Sequence, residues 1–160
     1  MALYEFDGKR PQVPSDSFVH PQAVLIGDVR IGHECLIAPG ACIRADFGPV
    51  ILGDRTSVQD NAVIHVYPGS RVTIGNDVTI AHGAILHDVH LKDRCTIGMG
   101  AVLLFNVICE EDVLVSVGSV VRKDMHVPAG KIVAGNPAVI TRDLTEKDKA
   151  AARNGIEAYR

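Results

Sequence analysis

Aliphatic residues recur along most of this chain at intervals of six. IGHECL, IAPGAC and IRADF open at Ile31, Ile37 and Ile43, and LGDRTS, VQDNAV and IHVYP open at Leu52, Val58 and Ile64. The beat continues through IGNDVT, IAHGAI and LHDVH (Ile74, Ile80, Leu86), LKDRCT, IGMGAV and LLFNVI (Ile97 between Leu91 and Leu103), and CEEDVL, VSVGSV and VRKDM (Cys109, Val115, Val121). All fifteen opening positions are apolar, and with apolar residues at 47% of the chain chance would give that on the order of once in 100,000 trials. The fifth position is a second signature. It reads Cys35, Thr56, Val78, Cys95, Val113 in the first column and Ala41, Ala62, Ala84, Ala101, Ser119 in the second, all small or β-branched. In the third column it reads Phe47, Pro68, His90, Val107, Met125, and the irregular spacings fall there too: nine residues after Ile43, ten after Ile64, five after Leu86.

Three hexads make one 18-residue triangular coil, with the opening aliphatic pointing inward. The pattern predicts an all-β solenoid, a parallel β-helix of about five coils between Ile31 and Met125. Each short strand pairs with the coils above and below at about 4.8 Å. Residues 1–30 are read as an N-terminal segment and partial opening coil around Ile26-Gly27, 31–140 as the β-helix, and 141–160 as a C-terminal helix, one domain overall. Thr145 with Asp148 three residues on reads as the helix N-cap and a variant of the capping box. Leu144, Ala151, Ile156 and Tyr159 would form its buried stripe.

Composition agrees with a narrow interior: 35 residues are Val or Ile, aromatics are 4%, and Trp is absent. Lys and Arg number 16 against 19 Asp and Glu, a net charge of −3, so the basic excess of a nucleic-acid binder is missing. No run approaches the ~20 apolar residues of a membrane span, and MALYEFDGKR lacks a signal peptide's apolar segment. The expectation is a cytoplasmic protein with no membrane or nucleic-acid partner. Cys35, Cys42, Cys95 and Cys109 form no CxxC, and are read as reduced apolar residues.

The candidate chemistry lies in the histidines. His65 and His87 hold the second position of third-column hexads in successive coils, so they stack on one corner about 4.8 Å apart, close enough to share a metal ion. His82 sits at the third position of a second-column hexad and leaves from another edge. One protomer has difficulty bringing all three together, whereas a threefold assembly sets one subunit's His82 against its neighbour's His65 and His87. A lone surface histidine is ordinarily a solvated polar group, and His20, His33, His90 and His126 are read that way. Asp60 lies one coil beneath His82. Arg44 lies one coil beneath His65, with Asp46 beside it.

RADFG (Arg44 to Gly48), VQDNAVIH (Val58 to His65), IAHGAILH (Ile80 to His87) and IGMGAV (Ile97 to Val102) resemble the signature of the gamma-class carbonic anhydrases and their close relatives. The resemblance implies a left-handed helix and a homotrimer. It implies a zinc ion held by His65 and His87 of one subunit and His82 of the next, although three imidazoles also suit Fe2+ or Co2+. Zinc lowers the pKa of its bound water toward about 7, and the hydroxide so formed would convert carbon dioxide to bicarbonate. Gln59 would hydrogen-bond the metal-bound solvent, Asp60 would act behind His82 or at the interface, and Arg44 with Asp46 would match the family's paired charges across the subunit contact.

The chain also departs from the best-known active members. Phe47 stands where some carry a glutamate, Ser57 replaces an asparagine, and Asp88 replaces the glycine that usually follows the third histidine. The segment after the first metal histidine shrinks to VYPGSRV (Val66 to Val72), with no acidic proton shuttle, so turnover is expected to be weak. Two other readings stand beside the anhydrase. One is acyl chemistry, as a hexapeptide acyltransferase or a metal-dependent acyl-CoA thioesterase, since AGNPA (Ala134 to Ala138) also closes the helix of hexapeptide acyltransferases. The other is a noncatalytic metal-binding assembly module.

Overall fold

A two-residue strand cannot satisfy its own backbone, and most strands here are that short, so each depends on the coil before it and the coil after it. The computed structural model describes residues 2–157. One face stacks Phe18–Val19, Leu36–Ile37, Ser57–Val58, Thr79–Ile80, Thr96–Ile97, Leu114–Val115 and Lys131–Gly135 in parallel, and Ala138–Asp143 closes it antiparallel. The second face runs through Val63–His65, Ile85–His87, Val102–Leu103 and Val120–Val121; the third runs through Val72–Ile74, His90–Leu91, Ile108–Cys109 and His126–Val127. Two longer strands, Val24–Arg30 and Cys42–Leu52, bend round the corner and serve both.

All fifteen opening residues of the hexads are buried, as are the ten small or β-branched residues at the fifth positions of the first two columns. In the third column, Phe47 is exposed, whereas Val107 is buried. The irregular spacings put the variable loops on that corner. Leu86 shows the energetic weight of one such position: it is fully buried between Ile64 and Leu103 of the adjacent coils. Leu86→Ala should lower stability by about 2–5 kcal/mol, read as a reduced urea midpoint at fixed protein concentration.

The solenoid makes about seven turns rather than five. Val19 and Leu25 precede Ile31 by twelve and six residues and point inward, as do Val127 and Val133 after Val121. The period therefore extends past both ends of the predicted repeat. Ile26-Gly27 was a misleading marker, because Leu25 is the fully buried residue and Ile26 is only half-buried. Gly27 serves a different need. Its φ is +78°, and a Cβ there would lie 2.3 Å from the Ala45 carbonyl oxygen.

A second corner carries Glu34, Arg55, Asp77, Arg94 and Asp112 in left-handed conformation. Arg55 pairs with Asp77 at 2.8 Å and Arg94 with Asp112 at 2.9 Å, partly exposed bridges worth about 0–1 kcal/mol each.

The C-terminal helix spans Glu146–Glu157. Thr145 Oγ1 accepts the Asp148 N–H at 3.2 Å, and Asp148 accepts the Thr145 N–H at 2.8 Å, which completes the reciprocal cap. The predicted stripe is corrected at Ala151, which is exposed, while Ala152 is half-buried. Lys149 and Ala152, three residues apart, line a cleft of about 210 Å3 against Thr96 and Leu114, and Ala151 is turned off that side. Leu144 is half-buried and lines the same cleft; the Ile156 side chain and Tyr159 lie outside the described residues. Among the described residues, no helix is long and apolar enough to cross a membrane.

Candidate metal centre

The strands Val63–His65 and Ile85–His87 lie in register, with Ile64 beside Leu86 and His65 beside His87. Because Ile64 and Leu86 point into the core, strand alternation sends the histidine after each of them outward. The two rings stand 4.8 Å apart at 87°, with His65 Nδ1 facing His87 Nε2 at 3.0 Å. Their outer nitrogens meet carboxylates: His65 Nε2 lies 3.1 Å from Asp46 Oδ1, and His87 Nδ1 lies 2.9 Å from Asp88 Oδ2.

Ionised carboxylates only accept hydrogen bonds, so both outer nitrogens carry the ring proton. The two inner nitrogens then face each other as lone pairs. Two facing lone pairs repel, so a proton on one ring or a metal ion held between them would stabilise the arrangement. A proton is disfavoured at His65, whose pKa is pushed down mainly by burial and further by the Arg44 guanidinium and His87, against the pull of Asp46. Two nitrogens at 2.0–2.1 Å from a tetrahedral zinc stand roughly 3.3 Å apart, so the donor pair fits such an ion with a small adjustment.

Arg44 extends the stack one coil down, in register with His65. Its Nη2 lies 3.4 Å from His65 Nδ1 and its Nε 3.6 Å from Asp46 Oδ2. Within one protomer, His65, His87, Arg44 and Asp46 therefore form one group.

His82, Asp60 and Gln59 lie on another edge, on the turns after Ile80 and Val58. His82 Nδ1 meets Asp60 Oδ2 at 2.9 Å. Among the described residues its Nε2 makes no hydrogen bond, so it is the nitrogen left for another partner. Gln59 is only 4% exposed, with no side-chain hydrogen bond among the described residues. No three His, Cys, Asp or Glu side chains of one protomer gather to hold an ion among those residues.

Sequence reasoning missed the surroundings of the paired histidines. The sequence marks Asp88 only as a replaced glycine, yet its carboxylate touches both His87 and the Tyr67 backbone. Three aromatic rings also border the pair: Phe47 lies 5.7 Å from His65, Phe105 lies 4.5 Å from His87, and Tyr67 packs edge-on against Phe105 at 6.2 Å. All three are substantially exposed, at 49%, 40% and 60% for Phe47, Phe105 and Tyr67. A cavity of about 370 Å3 opens beside them, lined by Tyr67, Ser70, Asp88, Phe105 and Lys123.

The remaining histidines have local partners. His20 Nδ1 accepts the Gln22 N–H, His33 meets Asp16, His90 meets Thr73, and His126 meets Glu110. The AGNPA segment forms the turn between Lys131–Gly135 and Ala138–Asp143.

No family model matches the chain. A mitochondrial gamma carbonic anhydrase of Arabidopsis thaliana is 39% identical over 157 residues, covering 94% of this chain and 57% of the relative, so the chain spans little more than half its length. The carnitine operon protein CaiE of Salmonella agona is 33% identical over 159 residues, covering 99% of this chain and 80% of that protein. The crystal structure of a hexapeptide transferase family protein from Anaplasma phagocytophilum superposes with a TM-score of 0.95 at 33% identity, covering 99% of this chain and 93% of the other. The hexad register and the level of identity to relatives spanning most of its length converge: the chain belongs to the gamma-class carbonic anhydrase-like family of left-handed β-helix hexapeptide-repeat proteins.

Proposed function

We propose that this chain is a gamma carbonic anhydrase-like zinc metalloenzyme that reversibly hydrates carbon dioxide to bicarbonate at the interfaces of a homotrimer. His65 and His87 of one protomer would hold the ion together with His82 of a neighbouring copy. The observation that carries this reading is the 3.0 Å approach of His65 Nδ1 to His87 Nε2 with both outer nitrogens on carboxylates. Three protein ligands and one open position are the common catalytic arrangement for zinc, and when bound the ion supplies a water acidic enough to attack at neutral pH.

The chain's own residues prepare the site. Asp46 holds the proton on the outer nitrogen of His65, so that its inner lone pair points toward His87. Asp60 does the same for His82 and leaves its Nε2 free to cross the subunit boundary. Gln59, beside Asp60, orients the attacking solvent with its unpaired amide. Arg44, two residues before Asp46 on the same strand and one coil below His65, steadies Asp46 and keeps a positive charge beside the paired rings. Likeness to a named gamma carbonic anhydrase supports the activity. Fe2+ or Co2+ would satisfy the same imidazoles, and metal analysis of protein never exposed to chelator distinguishes them.

The aromatic border and the adjoining cavity favour a second reading, acyl-group chemistry on an acyl-CoA, as does likeness to a protein named for hexapeptide transferases. One experiment compares carbon dioxide hydration with acyl-CoA hydrolysis and acyl transfer, on zinc-loaded and metal-stripped protein. The expected result is zinc-dependent hydration that falls to the uncatalysed rate on stripping. Acyl-CoA turnover alone would replace the anhydrase reading with the second. Zinc binding with neither activity would leave a noncatalytic assembly module.

A further inference from the structure

Asp88 is only 2% exposed, and no Lys or Arg forms a salt bridge with its carboxylate among the described residues. Its two oxygens are divided between two elements. Oδ1 accepts the backbone N–H of Tyr67 at 2.6 Å, and Oδ2 faces His87 Nδ1 at 2.9 Å. The backbone is equally fixed: the Asp88 N–H donates to the His65 carbonyl at 3.2 Å, and its own carbonyl accepts the Asn106 N–H at 2.9 Å. Its φ is +54°, a conformation that Asp, Asn and Gly adopt more readily than other residues.

We infer that Asp88 is a positioning residue that locks His87 in the Nδ1–H tautomer and ties the turn after His65 to that choice. The inference rests on the proposed metal site, because the Nδ1–H tautomer is the one that presents the Nε2 lone pair toward His65. An ionised carboxylate only accepts: Oδ1 takes the Tyr67 N–H, and Oδ2 at 2.9 Å takes the His87 Nδ1 proton. The bond to Tyr67 prevents the carboxylate from rotating away. One buried group thus sets both the ligand nitrogen and the path of the short loop that follows the first ligand.

Asparagine at this position exposes the logic. In Asp88→Asn the amide oxygen still accepts from Tyr67, and the amide nitrogen takes the place of Oδ2. It then donates to His87 Nδ1, which moves the ring proton to Nε2 and points that proton at His65. Asp88→Gly suits the left-handed backbone and removes both contacts.

The test is the tautomer of His87, read by long-range 1H–15N correlation spectra of the metal-free protein, with zinc affinity measured alongside. The expected result is Nδ1–H in the parent chain and Nε2–H in Asp88→Asn, with zinc binding weakened by about 10–100-fold. In Asp88→Gly the two tautomers should mix and the amides of residues 66–71 should exchange faster. Nε2–H in the parent, an unchanged tautomer in Asp88→Asn, or a shifted tautomer with unaltered zinc affinity would each overturn the inference. Nδ1–H in a parent chain that binds no zinc would instead overturn the metal reading and leave the tautomer lock standing.

Discussion

His82→Ala should purify as an intact β-helix that has lost its zinc. The ring is partly exposed, and its only side-chain partner among the described residues is Asp60, itself 45% exposed at the side chain. Removing that pair costs the fold about 0–1 kcal/mol at most, so circular dichroism and the urea midpoint should hardly move. In the proposed site the metal, by contrast, would lose one of three ligands. Metal analysis should find substoichiometric zinc, and carbon dioxide hydration should fall by more than the roughly 100-fold that follows loss of an outer partner. Asp60→Asn serves as the graded comparison. Its ring keeps a neighbour but loses the carboxylate that fixes the tautomer, and zinc affinity should weaken by about 10–100-fold. Stoichiometric zinc in His82→Ala would contradict a site shared between copies.

Turnover by the zinc-loaded protein should be governed by external buffer. Each hydration cycle releases a proton, and the segment from Val66 to Val72 contains no carboxylate to carry it away. Near the paired rings, Asp46 is committed to His65 and Arg44, Asp88 to two hydrogen bonds, and Phe47 and Phe105 cannot titrate. Raising imidazole buffer from low to tens of millimolar should therefore increase kcat roughly ten-fold or more, while kcat/KM for carbon dioxide stays flat. Tyr67→Glu tests the same step from inside. Tyr67 is exposed and packs against Phe105, which contacts His87, so a carboxylate there should raise kcat at low buffer and flatten the buffer dependence. A kcat independent of buffer in the parent chain would show that proton removal is not limiting.

The coil architecture was readable because its inward positions follow a fixed count. Ile37, Val58, Ile80, Ile97 and Val115 align as the second hexad of successive coils once the irregular third-column spacings are allowed for, and the structure pairs them in that order. The neighbourly position of His65 and His87 follows from the same count, since equal positions in successive coils stack. The opening coil was read out of phase for a local reason: Ile26-Gly27 imitates the repeat while Leu25 holds its phase. Asp88 was not readable as a partner of His87, because a left-handed corner turns the side chain back on its own coil. Phe105 belongs to the next coil, and the irregular third-column spacing prevents any count from bringing it over His87. Ala151 failed because the docking side of a short helix depends on where the solenoid surface lies, which helical periodicity alone does not specify.

Co-expression of two defective chains tests the shared site most directly. One chain carries His82→Ala and the other carries His65→Ala with His87→Ala. In a homotrimer with the proposed geometry neither chain alone has a complete site. Every mixed trimer has one, where intact His65 and His87 of the first chain meet the intact His82 of the second. The predicted result is zinc and carbon dioxide hydration in mixed trimers, isolated through two different affinity tags, with neither in the separate parents. Mixed trimers as empty and inactive as the parents would contradict the account.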